Sequence, residues 1–183
     1  MNYIFSAIFL YFFLGFLLYI FQRRIVFNKS GHPGAPKDYN LDNTEEVYIK
    51  TEDNLKLLSW YHKGNNSLPL LVYFHGNSFH IGDRAYRIQR YIEKNWSVLL
   101  VSWRGFGGNK GNPTEKNLYK DAEAVLKWIK NNTEFKFKEL VIYGESLGSG
   151  AAVEMGTKYE FLSIVLEAPF TSCLLYTSPS PRD

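Results

Sequence analysis

Leu140-Val141-Ile142-Tyr143-Gly144-Glu145-Ser146-Leu147-Gly148-Ser149-Gly150 is the stretch on which the reading of the whole chain turns. Leu140–Tyr143 is a short unbroken apolar run, the pattern of a strand covered on both faces. Gly144-Glu145-Ser146-Leu147-Gly148 fits G-x-S-x-G, and Leu147–Met155 continues with small residues at helical spacing. The five-residue pattern is weak alone: at about 7% usage for Gly and Ser, roughly one chain of this length in twenty holds it by accident. Its setting sharpens it. A strand that runs straight into a helix through this pattern lifts a serine hydroxyl clear of the sheet, and Gly144 and Gly148 permit the tight turn. Ser146 is the candidate nucleophile.

Outward from this point the chain alternates strand and helix patterns. Glu46–Thr51 and Leu55–Lys63 read as two strands, with Glu52-Asp53-Asn54 as turn chemistry between them, so a hairpin is expected. Leu70–Phe74 and Val98–Ser102 are buried-strand runs, and Ile164–Leu166 begins another. Ile81, Ala85, Ile88 and Ile92 share one helical face, as do Leu118, Ala122, Val125, Leu126 and Ile129. The sum is an α/β fold with six strands, a mostly parallel sheet, helices on both faces and the sixth strand left as an unprotected edge.

Two further loops follow strands. His75-Gly76-Asn77-Ser78 ends the run Leu70–Phe74. Acyl transfer at a serine needs two N–H donors aimed at the developing oxyanion. The backbone amides of Asn77 and of Leu147, the residue after the nucleophile, are the candidates. Ser102–Asn109 is glycine-rich, but a phosphate-binding G-x-G-x-x-G would need glycine where Lys110 stands. Arg104 is instead expected to hold that loop, with Asp121 as its partner.

Tyr3–Phe21 is uncharged and almost wholly apolar over nineteen residues. As a helix it spans roughly 28 Å, close to the ~30 Å hydrocarbon core of a bilayer. It is long for a signal-peptide core, only Met1 and Asn2 precede it, and no A-x-A site follows. A buried core helix is rarely apolar on every face. The expectation is a single-pass N-terminal membrane anchor. Arg23, Arg24, Lys29 and Lys37 all follow the span, which favours a cytoplasmic domain. The expected organisation is 1–24 anchor and stop residues, 25–44 linker, 45–172 domain, and 173–183 tail. Within the linker, Ser30–Asn40 is rich in Gly and Pro and reads as a linker or as a loop packed on the domain.

The chain has 183 residues, 45% hydrophobic, with 21 basic and 18 acidic side chains mixed along it, enough apolar content for a core and no basic patch for nucleic acid. Four scattered histidines and one cysteine show no metal-ligand spacing, and no cofactor is called for. Cys173–Asp183 (CLLYTSPSPRD) breaks the strand–helix rhythm. It resembles the translation of a transposase adapter used in sequencing libraries, so it is set aside as a non-native tail and Asp183 is not offered as a catalytic acid.

His75-Gly76-Asn77 after one strand, Arg104-Gly105-Phe106-Gly107 after the next, Gly144–Gly148 and Glu167–Ser172 together resemble the α/β-hydrolase superfamily. The branch they resemble is that of membrane-anchored α/β-hydrolase domain-containing serine hydrolases, over about Glu46–Ser172. That resemblance implies a fold truncated after about the sixth strand, and a serine esterase, thioesterase or lipase-like enzyme, with a serine peptidase as an alternative. It implies a small-molecule, lipid or acyl-protein substrate and the bilayer as a partner. It also implies that the triad Asp/Glu and His come later than Ser146. No histidine follows Ser146, so the chain by itself is expected to be inactive. His75 precedes the nucleophile and is expected to brace its loop, with Gly76 beside it. A non-catalytic membrane-anchored scaffold on the same fold is the competing reading.

Overall fold

The computed structural model of the chain describes residues 2–26, 28–29 and 31–170. The expectation for Cys173–Asp183 lies outside the described residues. Helix α1 (Asn2–Val26) leads, followed by the short strand β1 (Asn28–Lys29), β2 (Thr44–Lys50), β3 (Lys56–His62), β4 (Leu70–Phe74) and the short β5 (Ser78–Phe79). Then come α2 (Ala85–Ile92), β6 (Ser97–Val101), α3 (Glu115–Asn132), β7 (Leu140–Glu145), α4 (Leu147–Lys158) and β8 (Ser163–Glu167).

Six strands form one sheet in the order β2-β3-β6-β4-β7-β8. The hairpin β2–β3 and the pair β3–β6 are antiparallel, and β6, β4, β7 and β8 run parallel. The pleat divides each central strand between two cores. Leu70, Val72 and Phe74 of β4 with Leu99 and Val101 of β6 join the core under α3 and α4, which includes Leu118, Val125, Ala151 and Met155. Leu71 and Tyr73 with Val98 and Leu100 join the core under α2, with Ile81 and Ile88. The helices therefore cover both faces, as the unbroken apolar strands require.

Chain order places the site. From β4 the chain crosses over one face through α2 to β6, and from β7 it leaves through α4 over the other face. The neighbours β4 and β7 thus send their following loops in opposite directions. At such a switch in direction, open α/β sheets bind ligands beyond the C-terminal ends of the strands. At the outer edge, β8 pairs with β7 alone among the described residues, and Ile164, Val165 and Leu166 stay 38–39% exposed.

Two places depart from the expected elements. The helical face beginning at Ile81 starts with a 3-10 turn, Ile81–Arg84, before α2 proper. Gly82 is a poor helix former pressed against the Tyr39 ring, and the Asp83 carboxylate accepts the His80 N–H at 3.1 Å, which holds the turn tight. The second is the pair β1–β5, Asn28 opposite Ser78 and Lys29 opposite Phe79, which two-residue strands are too short to announce by periodicity. Of the two readings open for the Gly/Pro-rich segment, the packed one describes its conformation. Pro33 and Pro36 are buried, Tyr39 donates its hydroxyl to the Pro33 carbonyl at 2.6 Å, and its ring lies 5.4 Å from Trp60. The span Tyr3–Phe21 of α1, by contrast, is not buried: its mean hydropathy is 2.4 and it is 0% buried.

Candidate active site

Ser146 stands between the last residue of β7 and the first of α4, with φ 47° and ψ −109°. A non-glycine residue there carries about 1–3 kcal/mol of strain, which persists only where the surroundings fix it. They do so from several sides. The Ser146 N–H donates to the Glu167 carbonyl at the end of β8 at 2.8 Å. The Ser146 carbonyl accepts from the Ser149 N–H at 2.9 Å and from its hydroxyl at 2.5 Å. Glycine is required on both sides by space: a Cβ on Gly144 would lie 2.7 Å from Ser149 Cα, and one on Gly148 would overlap the Phe74 carbonyl. The strand and helix therefore meet more closely than any side chain allows. Leu147 is the first residue of α4, and the helix dipole adds positive potential at its amide.

The register pairs Phe74 of β4 with Gly144 of β7, so His75 and Gly76 continue beside Glu145 and Ser146. A Cβ on Gly76 would sit 3.0 Å from Glu145 Oε1, which shows how tightly this loop abuts the turn. Asn77 follows directly. Ser146, Leu147, Gly76 and Asn77 thus share the C-terminal edge of β4 and β7.

His75 is fully buried. Its Nδ1 lies 2.6 Å from the Gly76 carbonyl and its Nε2 3.4 Å from the Trp103 N–H, while Trp103 Nε1–H donates to the His75 carbonyl at 2.9 Å. A carbonyl cannot donate and an amide N–H cannot accept, so the proton belongs on Nδ1 and the ring is neutral. Burial, assisted by the charge of Arg84, pushes its pKa down to about 4. Nδ1 is spent within its own loop, while Nε2 joins the loop after β4 to the loop after β6.

In that second loop Arg104, 2% exposed, donates from Nε and Nη2 to Asp121 Oδ1 at 2.8 and 2.6 Å, and its backbone N–H meets Asp121 Oδ2 at 3.1 Å. Nη1 and Nη2 reach the Asp53 carboxylate in the β2–β3 turn at 2.8 and 3.1 Å.

A second charged cluster had no counterpart in the motif reading. Arg84 donates from Nε and Nη2 to the two oxygens of Glu145 at 3.1 and 2.9 Å, and from Nη1 to the Ser78 carbonyl at 2.5 Å. The Tyr73 hydroxyl donates to Glu145 at 2.9 Å. Beside it, Arg87 and the Tyr143 hydroxyl donate to Glu167 Oε2 at 2.5 and 2.7 Å, and the Tyr73 and Tyr143 rings stack at 4.7 Å. Burial raises the Glu145 carboxyl, but Arg84 and Tyr73 outweigh it and hold the pKa below the ordinary value. Both residues flanking the elbow in the sheet, Glu145 before it and Glu167 across from it, are thereby tied to α2 and its lead-in turn. One signal was present: Arg84 falls on the apolar face of Ile81, Ala85 and Ile88, and a charge on a buried face demands a partner.

Residues 66–181 match the family model described as serine aminopeptidase, S33. The chain belongs to this family of the α/β-hydrolase superfamily. Its relatives agree. It is 32% identical over 165 residues to an uncharacterized protein of Mycobacterium tuberculosis, covering 86% of this chain and 58% of that protein. It is 28% identical to the α/β-hydrolase domain-containing protein WAV2 of Arabidopsis thaliana (86% and 54% covered) and 29% identical to an uncharacterized membrane protein of Saccharomyces cerevisiae (85% and 57%). Among solved structures it resembles the Pyrococcus furiosus esterase Pf2001, with TM-score 0.65 and 28% identity over 78% of this chain and 58% of that one. The chain thus spans a little over half the length of each relative. A separate cleft of ≈ 420 Å³ opens between the β2–β3 turn and Gly107–Lys110, lined also by His32 and Tyr48; Ser146 and Asn77 are not among its walls.

Proposed function

We propose that this hydrolase is anchored in a membrane by α1 and cleaves acyl esters or thioesters with Ser146 as nucleophile. The observation that carries the reading is the strained Ser146 backbone at the β7–α4 junction, braced by its bonds to Glu167 and Ser149, with the loop of Asn77 against it. In this mechanism Ser146 Oγ attacks the acyl carbonyl while a base takes its proton. The Asn77 and Leu147 amides hold the oxyanion, the alcohol or thiol departs with that proton, and water releases the acyl group from the serine. The esterase named among the solved structures supports the bond type, and the membrane protein of S. cerevisiae supports the anchor. The four basic residues after the span favour a cytoplasmic domain.

None of the chain's histidines follows Ser146, where this fold presents its base, and His75 is neutral with both nitrogens engaged. The chain alone is therefore expected to turn over p-nitrophenyl butyrate no faster than its Ser146→Ala form. Ser146-dependent turnover by the chain alone would overturn that assignment. The nucleophile is tested in an extended chain in which residues 1–172 continue into the C-terminal part of one of the longer relatives: a fluorophosphonate probe should label it, and Ser146→Ala should abolish labelling. Persistent labelling of the alanine form would refute Ser146. The family's description favours a peptidase as the second reading. Aminoacyl p-nitroanilides hydrolysed in preference to acyl esters by the same extended chain would select it.

A further inference from the structure

The path of the chain from α1 into the domain says which edge of the sheet lies near the end of that helix. α1 ends at Val26, and β1 pairs in parallel with β5, Asn28 to Ser78 and Lys29 to Phe79. Three residues reach at most ~11 Å and paired strands lie about 4.8 Å apart. The backbone of Phe79 is therefore within roughly 15 Å of the end of the helix, and Phe79 follows Asn77 by two residues.

The segment that follows is a strap rather than a loose tether. Pro33 and His32 pack where Cβ atoms on Gly107 and Gly108 would lie, at 3.6 and 3.4 Å, in the loop after β6. Tyr39 presses on Gly82 in the turn after β5 and on Trp60 of β3. Both loops that receive the strap leave the C-terminal ends of β4 and β6, the edge that carries Ser146. Among the described residues the anchor is fastened to the site edge.

Phe79 is a large apolar side chain, 52% exposed, at φ 64°, in the loop nearest the helix end. An aromatic or aliphatic side chain beside a membrane helix is at home at the lipid interface, and the basic residues Arg23, Arg24 and Lys29 suit its headgroups.

We infer that the site edge of the sheet rests on the bilayer spanned by α1, with Phe79 in the lipid interface, so that Ser146 takes esters or thioesters whose acyl chain lies in the membrane. This rests on the proposed function and adds where the substrate comes from. Depth is measured without turnover. In a Cys173→Ser background, Phe79→Cys and, separately, Glu160→Cys are labelled with an environment-sensitive fluorophore and reconstituted in phosphatidylcholine vesicles with and without brominated acyl chains. Glu160, 79% exposed in its ion pair with Lys138, lies at the opposite end of the parallel strands. Bromolipid should quench the label at 79 and spare the label at 160. No quenching at 79, or equal quenching at both, overturns the placement. Ser78→Cys repeats the measurement if Phe79→Cys does not fold. In the extended chain, a hexadecyl fluorophosphonate in vesicles should then label Ser146 faster than an ethyl one in solution, and equal rates overturn the substrate class. Carbonate extraction and the Ser146→Ala comparison report separately on the anchor and the nucleophile. A protein that stays in the membrane and labels at Ser146 but leaves position 79 unquenched refutes this inference alone.

Discussion

Arg104 and Arg84 lie in the loops that follow two neighbouring parallel strands, and both are almost closed to solvent. Their partners set them apart. Arg104 joins three parts of the frame: its own loop, α3 through Asp121, and the β2–β3 turn through Asp53. Burial works against its charge, but the two carboxylates outweigh that and raise its pKa, while Arg104 and then Thr51 hold the Asp53 carboxyl well below the usual range. Arg84 instead grips Glu145, the residue before Ser146, and the Ser78 carbonyl in the loop of Asn77. The same side chain thus serves one loop as a strut and the other as a mount for the strained turn. A fork of donors in a buried place locks whatever carries its acceptors.

The largest effect should come from Arg104→Ala. It leaves Asp121, fully buried, with an uncompensated charge, and breaking such a pair costs about 3–5 kcal/mol. Thermal unfolding of the detergent-solubilised chain followed by circular dichroism should show it. A loss under about 1 kcal/mol would mean the frame does not depend on Arg104.

A second test is pH, through His75, which lies between the two arginine clusters. Its pKa is about 4 in the fold against 6.5 unfolded. Between those values the unfolded chain binds the extra proton, so stability rises with pH across this window. The neutral ring's contribution is complete above about 6.5 and is lost as pH falls towards 4, by about 3 kcal/mol. Glu145, whose pKa is held below its ordinary value, loses its own contribution as pH falls below that ordinary value. His75→Gln should flatten the slope between pH 6.5 and 4. An unchanged slope would move the titration elsewhere.

Arg84→Ala breaks a pair that retains 9% and 14% side-chain exposure, so water takes up part of the lost bonding and the loss is about 1.5–3 kcal/mol in all. The total should fall below that for Arg104→Ala. The distinguishing readout is local: the Ser146 amide, bonded to the Glu167 carbonyl, should exchange its hydrogen faster relative to the sheet core in Arg84→Ala. If Arg104→Ala loosened that amide as selectively, the contrast between strut and mount would fail. Tyr143→Phe should have the smallest effect, about 0.5–1.5 kcal/mol for one hydroxyl bond to Glu167, whose 38% side-chain exposure lets water compete for the carboxylate. A larger loss would show that the Tyr73–Tyr143 stack and both glutamates act as one network.

What could be read along the chain was what repeats locally. Leu70–Phe74 is a strand with the bounds its apolar run suggests, and the periodic face from Leu118 to Ile129 lies within α3. The glycines around Ser146 foretold a turn with no room for side chains, and the structure puts that turn where β7 meets α4. A uniform apolar run of bilayer length marked α1. These follow from neighbours in sequence, because burial on a pleat or helix imposes a period of 2 or 3.6 residues. The rest depended on partners far apart in the chain. Arg84 and Glu145 are 61 residues apart and Arg104 and Asp53 are 51, and nothing local in either member names the other. β1 and β5 are two residues each, with no period to read, yet their pairing ties the end of α1 to the loop of Asn77. Strand order and the opposite departures of the chain from β4 and β7 decided which loops meet around Ser146. Residue types set which elements form and which charges need partners, and only the packing of the sheet between its helices chooses among the acids and loops that could answer them.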